Sequence, residues 1–286
     1  MTNAQYHARP EISASDLKNA KNGNTAAIYN RIWGLTPKKD PSPAMILGSA
    51  VHKLVLEPLD FETEFAVEPE LNKRTNEGKA KALEFAEKNA GKTILSAATY
   101  EQAEKAAEAI LNNPDAAQLL KGGSAEQSYF TELEGVMVKC RPDYFSEKTG
   151  ICVDLKTTSA GVGREFAKDA ANLQYFLQAA FYLDVLNACG FNATRFFFIV
   201  VNTIDFRVGI FETQAPAIET GRRLYQARLA LWKRDLELGA GAQITDAYER
   251  RANGEVSTIQ RLEMPAWATY EAESEVSEIE AHLGLI

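Results

Sequence analysis

A chain of 286 residues, 45% of them hydrophobic and 24% charged, has ordinary soluble composition and enough length for one large core or two small ones. The formal net charge of −8 argues against a protein that coats nucleic acid by bulk electrostatics, and leaves room for an enzyme with a local basic channel. No apolar run approaches the roughly 20 residues of a membrane helix. The opening MTNAQYHARPEISAS lacks a signal-peptide core, and Cys140, Cys152 and Cys189, without a CxxC, suit neither a disulfide framework nor a zinc or iron–sulfur site. The expected location is the cytoplasm.

In chain order, the first helix signal is Ser13 and Ser15 ahead of DLKNAKNG, with Asp16 three residues after Ser13 and Gly23 as a stop. LTPKKDPSPA reads as a loop. AMILGSAVHKLVLEP reads as a buried helix, apolar almost all round and ended by Pro58. Residues 68–93 are polar, with Lys73, Arg74, Lys79 and Lys81 among several glutamates, and read as a mobile loop entering a helix from about Lys79. SAATYEQAEKAAEAILNN is an amphipathic helix capped by Ser96, with Pro114 just beyond it.

The pattern changes at about residue 125. EQSYFTEL, VMVKCRPDYF and ICVDLKT read as three strands of a meander, turned by EGV and SEKTG. NLQYFLQAAFYLDVLNACG reads as a helix closed by Gly190. The strands TRFFFIVV and FRVGIFET follow, joined by NTID, and a long helix runs from about Pro216 to Leu238. This order predicts the α/β class: a central mixed β-sheet flanked by helices, with a helical N-terminal part. Residues 1–240 are expected to form one domain (helical over 1–122, sheet core over 123–240) and 241–286 a C-terminal extension. Within the extension YERRANGEV reads as a short helix, and the acidic stretch 271–280 as a solvated terminus or an arm that docks on another subunit.

The chemistry lies in RPDYFSEKTGICVDLKTT. In the strand ICVDLKT, Ile151, Val153 and Leu155 share one face and Cys152, Asp154 and Lys156 the other; residues two apart sit about 6–7 Å from each other. Asp143 ends the preceding strand, so the three polar side chains can converge. Two carboxylates suit a hard cation such as Mg²⁺, which polarises a phosphate and activates water. A lysine beside them can hold that water, or accept its proton if burial lowers the lysine's pKa. A lone D-x-K on a strand is usually a solvated face; the company it keeps here argues otherwise. Pro142 precedes Asp143, and ten residues separate Asp143 from Asp154. Gln178 and Tyr182 fall on one helix face at i,i+4. Gly48 and Ala50 allow the helix carrying His52 a close approach. Glu126 begins the first strand, where it could approach the metal cluster or stay solvated.

These residues carry a resemblance. PD…DLK resembles the PD-(D/E)xK nuclease superfamily. GSAVHKLVLEP, RPDYF…VDLKT, QAAFY and the opening SASDLKNAKNGNTAAIYNRI together resemble RecE-type (exodeoxyribonuclease VIII) and RecB-like exonucleases, over about residues 11–235. The resemblance implies a restriction-endonuclease-like core. It implies Asp143, Asp154 and the Leu155 carbonyl as metal ligands, with His52 ligating or orienting the metal. Lys156 would position or activate water, while Gln178 and Tyr182 would help hold the DNA strand or the catalytic residues. Asp154 stands where many relatives have Glu, also an oxygen ligand. The implied cofactor is Mg²⁺, with Mn²⁺ as a substitute.

The implied activity is degradation of linear double-stranded DNA from its ends, 5′ to 3′. It would leave 3′ overhangs for phage-type homologous recombination by single-strand annealing. The implied partners are DNA ends, a single-strand annealing protein and further copies of the chain in a closed ring, a tetramer or a trimer. Another nuclease type of the superfamily (endonuclease or single-strand-specific) and a catalytically silent DNA-binding scaffold are the alternatives. Candidate phosphate contacts are Lys73, Arg74, Lys79, Lys81, Arg164, Lys168, Arg222, Arg223 and Arg228.

Overall fold

The computed structural model describes residues 1–20, 25–37, 40–72 and 74–237, together with the backbone of 249–250 and 256–257 and residue 276. The helical part comprises α1 (Asn3–Ala8), α2 (Ala14–Asn19), α3 (Ala26–Ile32), α4 (Pro43–Leu56) and α5 (Phe61–Glu64). It continues through β1 (Phe65–Glu68), α6 (Asn76–Lys88), β2 (Thr93–Ser96), α7 (Ala97–Asn112) and α8 (Pro114–Leu119). The strands β3 (Ser124–Ala125), β4 (Tyr129–Leu133), β5 (Val136–Cys140), β6 (Tyr144–Ser146) and β7 (Ile151–Thr158) follow. Then come α9 (Arg164–Asn172), α10 (Tyr175–Ala188), β8 (Arg195–Asn202), β9 (Val208–Glu212) and α11 (Ala215–Glu237). Short strands β10 (Glu249–Arg250) and β11 (Val256–Ser257) pair antiparallel.

The central sheet has the order β3-β6-β7-β8-β9. β7 pairs antiparallel with β6 and parallel with β8, and β8 pairs antiparallel with β9. The sheet is therefore mixed, as the element order predicts. Its two faces are both covered. Cys152, Phe196, Phe198 and Val200 pack into one core with α2, α10 and α11. Val153, Leu155, Phe197, Ile199 and Val201 pack into a second core with α4 and α7. Two covered faces explain why TRFFFIVV is a continuous apolar run rather than an alternating one.

Local chemistry sets the element ends. Ser13 caps α2 with a full capping box, Asp16 returning the bond to the Ser13 backbone, and Ser96 caps α7. Thr75 caps α6, which starts three residues before the Lys79 read from sequence. Pro114 opens α8 rather than merely following α7. Glu134 and Gly135, both at positive φ, make the two-residue turn between β4 and β5.

Several expectations change. The meander is split: β4 and β5 form their own two-stranded sheet, and only β6 and β7 join the central one. VMVKCRPDYF is two strands because Pro142, lacking an N–H, cannot continue a ladder. The first half also holds a parallel pair, β1 with β2, and NLQYFLQAAF is preceded by α9. α4 is half-buried rather than buried: Gly48, Ala50 and Val51 are enclosed while Met45 is 62% exposed. Of the stretch YERRANGEV, read as a helix, Glu249, Arg250 and Val256 lie in the paired strands β10 and β11, and the rest lies outside the described residues. Gly23, Lys73 and the stretch 271–280, apart from Val276, lie outside the described residues.

α10 and α11 pack closely because Gly221 has no side chain: a Cβ there would stand 2.1 Å from the Phe176 carbonyl oxygen. Gly221→Ala should destabilise the protein by about 2–3 kcal/mol, since backbone must move to admit it. Urea unfolding of the two proteins measures this, and equal midpoints would refute the close contact.

Candidate active site

Strand register builds the site. Tyr144 faces Val153 across β6 and β7, so one step outward Asp143 stands opposite Asp154. Cross-strand neighbours point to the same side of a sheet. The Leu155 N–H donates to Asp143 Oδ2 at 2.7 Å and fixes that carboxylate. α4 reaches the same spot from the second layer. A Cβ on Gly48 would lie 3.0 Å from Thr157 Oγ1, so the glycine permits the approach read from sequence. One turn later on α4, His52 Nδ1 lies 3.4 Å from Asp143 Oδ2.

Asp154 is 3% exposed. Lys156 ion-pairs with its Oδ2, and the Gln178 amide donates to its Oδ1. The Lys156 contact lacks hydrogen-bond alignment, which leaves Oδ2 a buried acceptor without a hydrogen bond. Gln178 in turn accepts from Lys18 Nζ at 3.1 Å. Burial, followed by the charge of Lys156, lowers the Lys18 pKa to about 8. Burial also opposes the charge of Lys156, but Asp154 and Asp143 outweigh it and the pKa is raised on balance. Beside two carboxylates the Lys156 ammonium is placed to hold a water or a phosphate oxygen.

Glu126 joins the site. Its backbone is left-handed at φ 51°, where the chain leaves β3 for β4, and its N–H bonds the Asp143 carbonyl at 3.1 Å. Among the described residues, His52, Glu126 and Asp143 each offer one ligand atom, all within 4.8 Å of one another. Three such donors, with Asp154 Oδ2, ion-paired to Lys156, on the neighbouring strand, fit a hard divalent cation. The carboxylates are strained by their own proximity. Burial, then Asp154, raises Asp143 to about 6. Burial, then Asp143, raises Glu126 to about 7, with Arg141 opposing at 2.9 Å.

Two cavities meet here. A cleft of about 1010 Å³ is lined by Gly48, His52, Lys53, Lys156 and Thr157. A second cavity of about 550 Å³ is lined by His7, Ser13, Arg31, Asp143 and Tyr182. Glu126, Arg141 and Asn3 line both.

The structure thus brings together His52, Asp143, Asp154, Lys156, Gln178 and Glu126, with Tyr182 half-buried in the adjoining cavity. Leu155 contributes its N–H to Asp143. Arg74 and Arg164 are exposed and line neither cavity. Arg228 is a correction among the phosphate-contact candidates: it is buried, donating to the Leu17 carbonyl and Gln174. Arg222 is held by Asp184. Lys18 was missed as a site residue, and its distance of 160 positions from Gln178 leaves no spacing to read.

Residues 13–230 match the family described as PDDEXK-like domain of unknown function (DUF3799). In fold the chain is similar to the crystal structure of a "Putative exonuclease" from Eubacterium rectale, with a TM-score of 0.59 and 15% identity over 84% of this chain and 87% of that one. The crystal structure of SSO0001 covers 51% of this chain and 77% of its own, at 18% identity and a TM-score of 0.29, too low to carry an argument. No curated protein matches the sequence. The resemblance is upheld at the level of the PD-(D/E)xK superfamily.

The raised carboxylate pKa values give a signed prediction. The folded state holds these protons more tightly than the unfolded chain, so their contribution to stability falls as pH rises through about 6 to 7. A cation must displace the same protons and binds better as they leave. Mg²⁺ should therefore raise the melting temperature more at pH 8 than at pH 6. Equal shifts at both, or none, in a thermal melt would count against a cation site built from Glu126 and Asp143.

Proposed function

The chain belongs to the family of PDDEXK-like domains of unknown function, and on that premise we propose that it is a Mg²⁺-dependent exonuclease acting on linear double-stranded DNA. The observation that carries the reading is the cluster beside the middle of β7, where β6 begins. His52, Glu126 and Asp143 offer ligand atoms within 4.8 Å of one another, and the Asp154–Lys156 pair stands beside them.

A divalent cation held by these residues would polarise the phosphate and make water more acidic. The protein's own groups do the rest. The Lys156 ammonium holds the attacking water or a non-bridging phosphate oxygen and offsets charge that develops there. Gln178 keeps Asp154 oriented, and Lys18 keeps Gln178 oriented. The reaction is direct hydrolysis, and no side chain here needs to form a covalent intermediate. The cleft beside His52 and Lys156 is the place offered to a DNA strand, with about twice the volume of the cavity beside Asp143.

Digestion from the 5′ end, 3′ overhangs, ring assembly and a single-strand annealing partner follow from the RecE-type resemblance and belong to the same proposal. Mn²⁺ should replace Mg²⁺, since both are hard cations with oxygen preference.

Linear duplexes labelled separately at each end, with closed circular DNA as control, test the reading. Mg²⁺-dependent release of the 5′ label first, with the circle untouched, is expected. Cutting of the circle would make the protein an endonuclease, and no Mg²⁺-dependent digestion at all would end the nuclease reading. Lys156→Ala should lower the cleavage rate at least ~10²-fold, the scale of a lost proton-handling or oxyanion-holding group, while duplex binding survives.

A further inference from the structure

We propose that Arg141 is a binding residue for a nucleotide phosphate, placed at the junction of the two cavities; the inference rests on the nuclease reading and names a contact within it. Arg141 precedes the Pro142-Asp143 pair, and its side chain is 10% exposed. Its Nε lies 2.9 Å from Glu126 Oε2 without hydrogen-bond alignment, and both Nε and Nη1 are buried with no hydrogen-bond partner. A buried guanidinium with idle donors is costly to keep, which makes it a signpost for an absent acceptor.

Its neighbours identify the acceptor. Among the described cations lining the two cavities, Lys53 is held by Glu57 and Glu64, Lys156 by Asp154, and Arg31 by Asp16. Arg31 also donates to the Arg9, Pro10 and Glu11 carbonyls. Arg141 retains donors, and it faces both cavities. The Tyr6 ring lies 5.7 Å from its Cζ and closes the other side. A site made of carboxylates repels a polyanion, so a strand can lie across it only where positive charge compensates. The planar fork of a guanidinium matches two phosphate oxygens at once. Glu126 is shared: the same carboxylate faces Arg141 and offers a ligand atom to the cation cluster. Drawing Glu126 toward a cation would leave the Arg141 fork free for phosphate.

The test compares wild type, R141M and R141K. Affinity for a fluorescent linear duplex is measured by anisotropy in Ca²⁺, with the DNA shown intact afterwards. Affinity for Mn²⁺ alone is measured by calorimetry. R141M should weaken duplex binding roughly 10- to 100-fold, the value of a charge-assisted contact, and leave Mn²⁺ affinity within about threefold. R141K keeps the charge without the fork and should recover only part of the loss. Wild-type duplex affinity in folded R141M and R141K overturns the proposal. So does a parallel loss of Mn²⁺ affinity, which would make Arg141 a support for Glu126. Should R141M fail to fold, R141K decides alone: threefold or weaker binding supports the phosphate contact, and unchanged binding overturns it. A wild-type protein that neither binds nor digests duplex removes the nuclease reading as well. Wild-type digestion with indifferent variants removes this inference only.

Discussion

The repulsion between two carboxylates on facing strands governs this molecule. Asp143 and Asp154 oppose each other across β6 and β7, and Asp154 is almost wholly enclosed. Charge so placed is stable only with compensation. The compensation comes from Lys156 two residues along the same strand, His52 from α4, the Gln178 amide from α10 and the Leu155 N–H from the backbone. The compensation is incomplete, as the raised pKa values of Asp143 and Glu126 record. A fold optimised for stability alone would remove one of the acids. Their retention is a local conflict of the kind that marks functional sites.

The two covered faces of the sheet make this convergence achievable. The strand alternation of β7 sends Asp154 and Lys156 toward α10, while the opposite face packs on α4 and α7. Yet α4 contributes His52, because Gly48 lets the helix lie close to Thr157 near the strand end. The site is therefore assembled at the rim of the sheet, where groups from both layers can meet. Strand β7 and the helices α4 and α10 carry Asp154, Lys156, His52 and Gln178, which suits chemistry that depends on fixed distances.

Much of this was legible in the sequence, for identifiable reasons. Alternation in ICVDLKT places Asp154 and Lys156 together because side-chain period in a strand is fixed by geometry. The i,i+4 spacing of Gln178 and Tyr182 and the small residues before His52 are equally local. The order of elements was enough for the mixed sheet. What was hidden is non-local. Lys18 joins the site across 160 positions, and the left-handed backbone between two sheets that turns Glu126, already a candidate, into the cluster leaves no sequence pattern. The split of the meander was available in principle, since Pro142 forbids a continuous strand. The parallel pair of β1 and β2 was not, because four-residue strands inside polar sequence leave almost no pattern.

The register of β6 against β7 rests on three residue pairs and on the turn through Glu147 to Gly150. Gly150 sits at φ 66°, and a Cβ there would meet the Asn192 carbonyl at 2.3 Å. Surface turns elsewhere tolerate length changes at little cost. Here a single inserted or deleted residue would slip the strand by one and invert which side chains face each layer. An insertion would bring Tyr144, and a deletion Pro142, to where Asp143 stands, and either way the carboxylate would be lost from its place. The span of this hairpin is thus a piece of enzymatic information written in chain length, as binding on the protein as the identity of any side chain it positions.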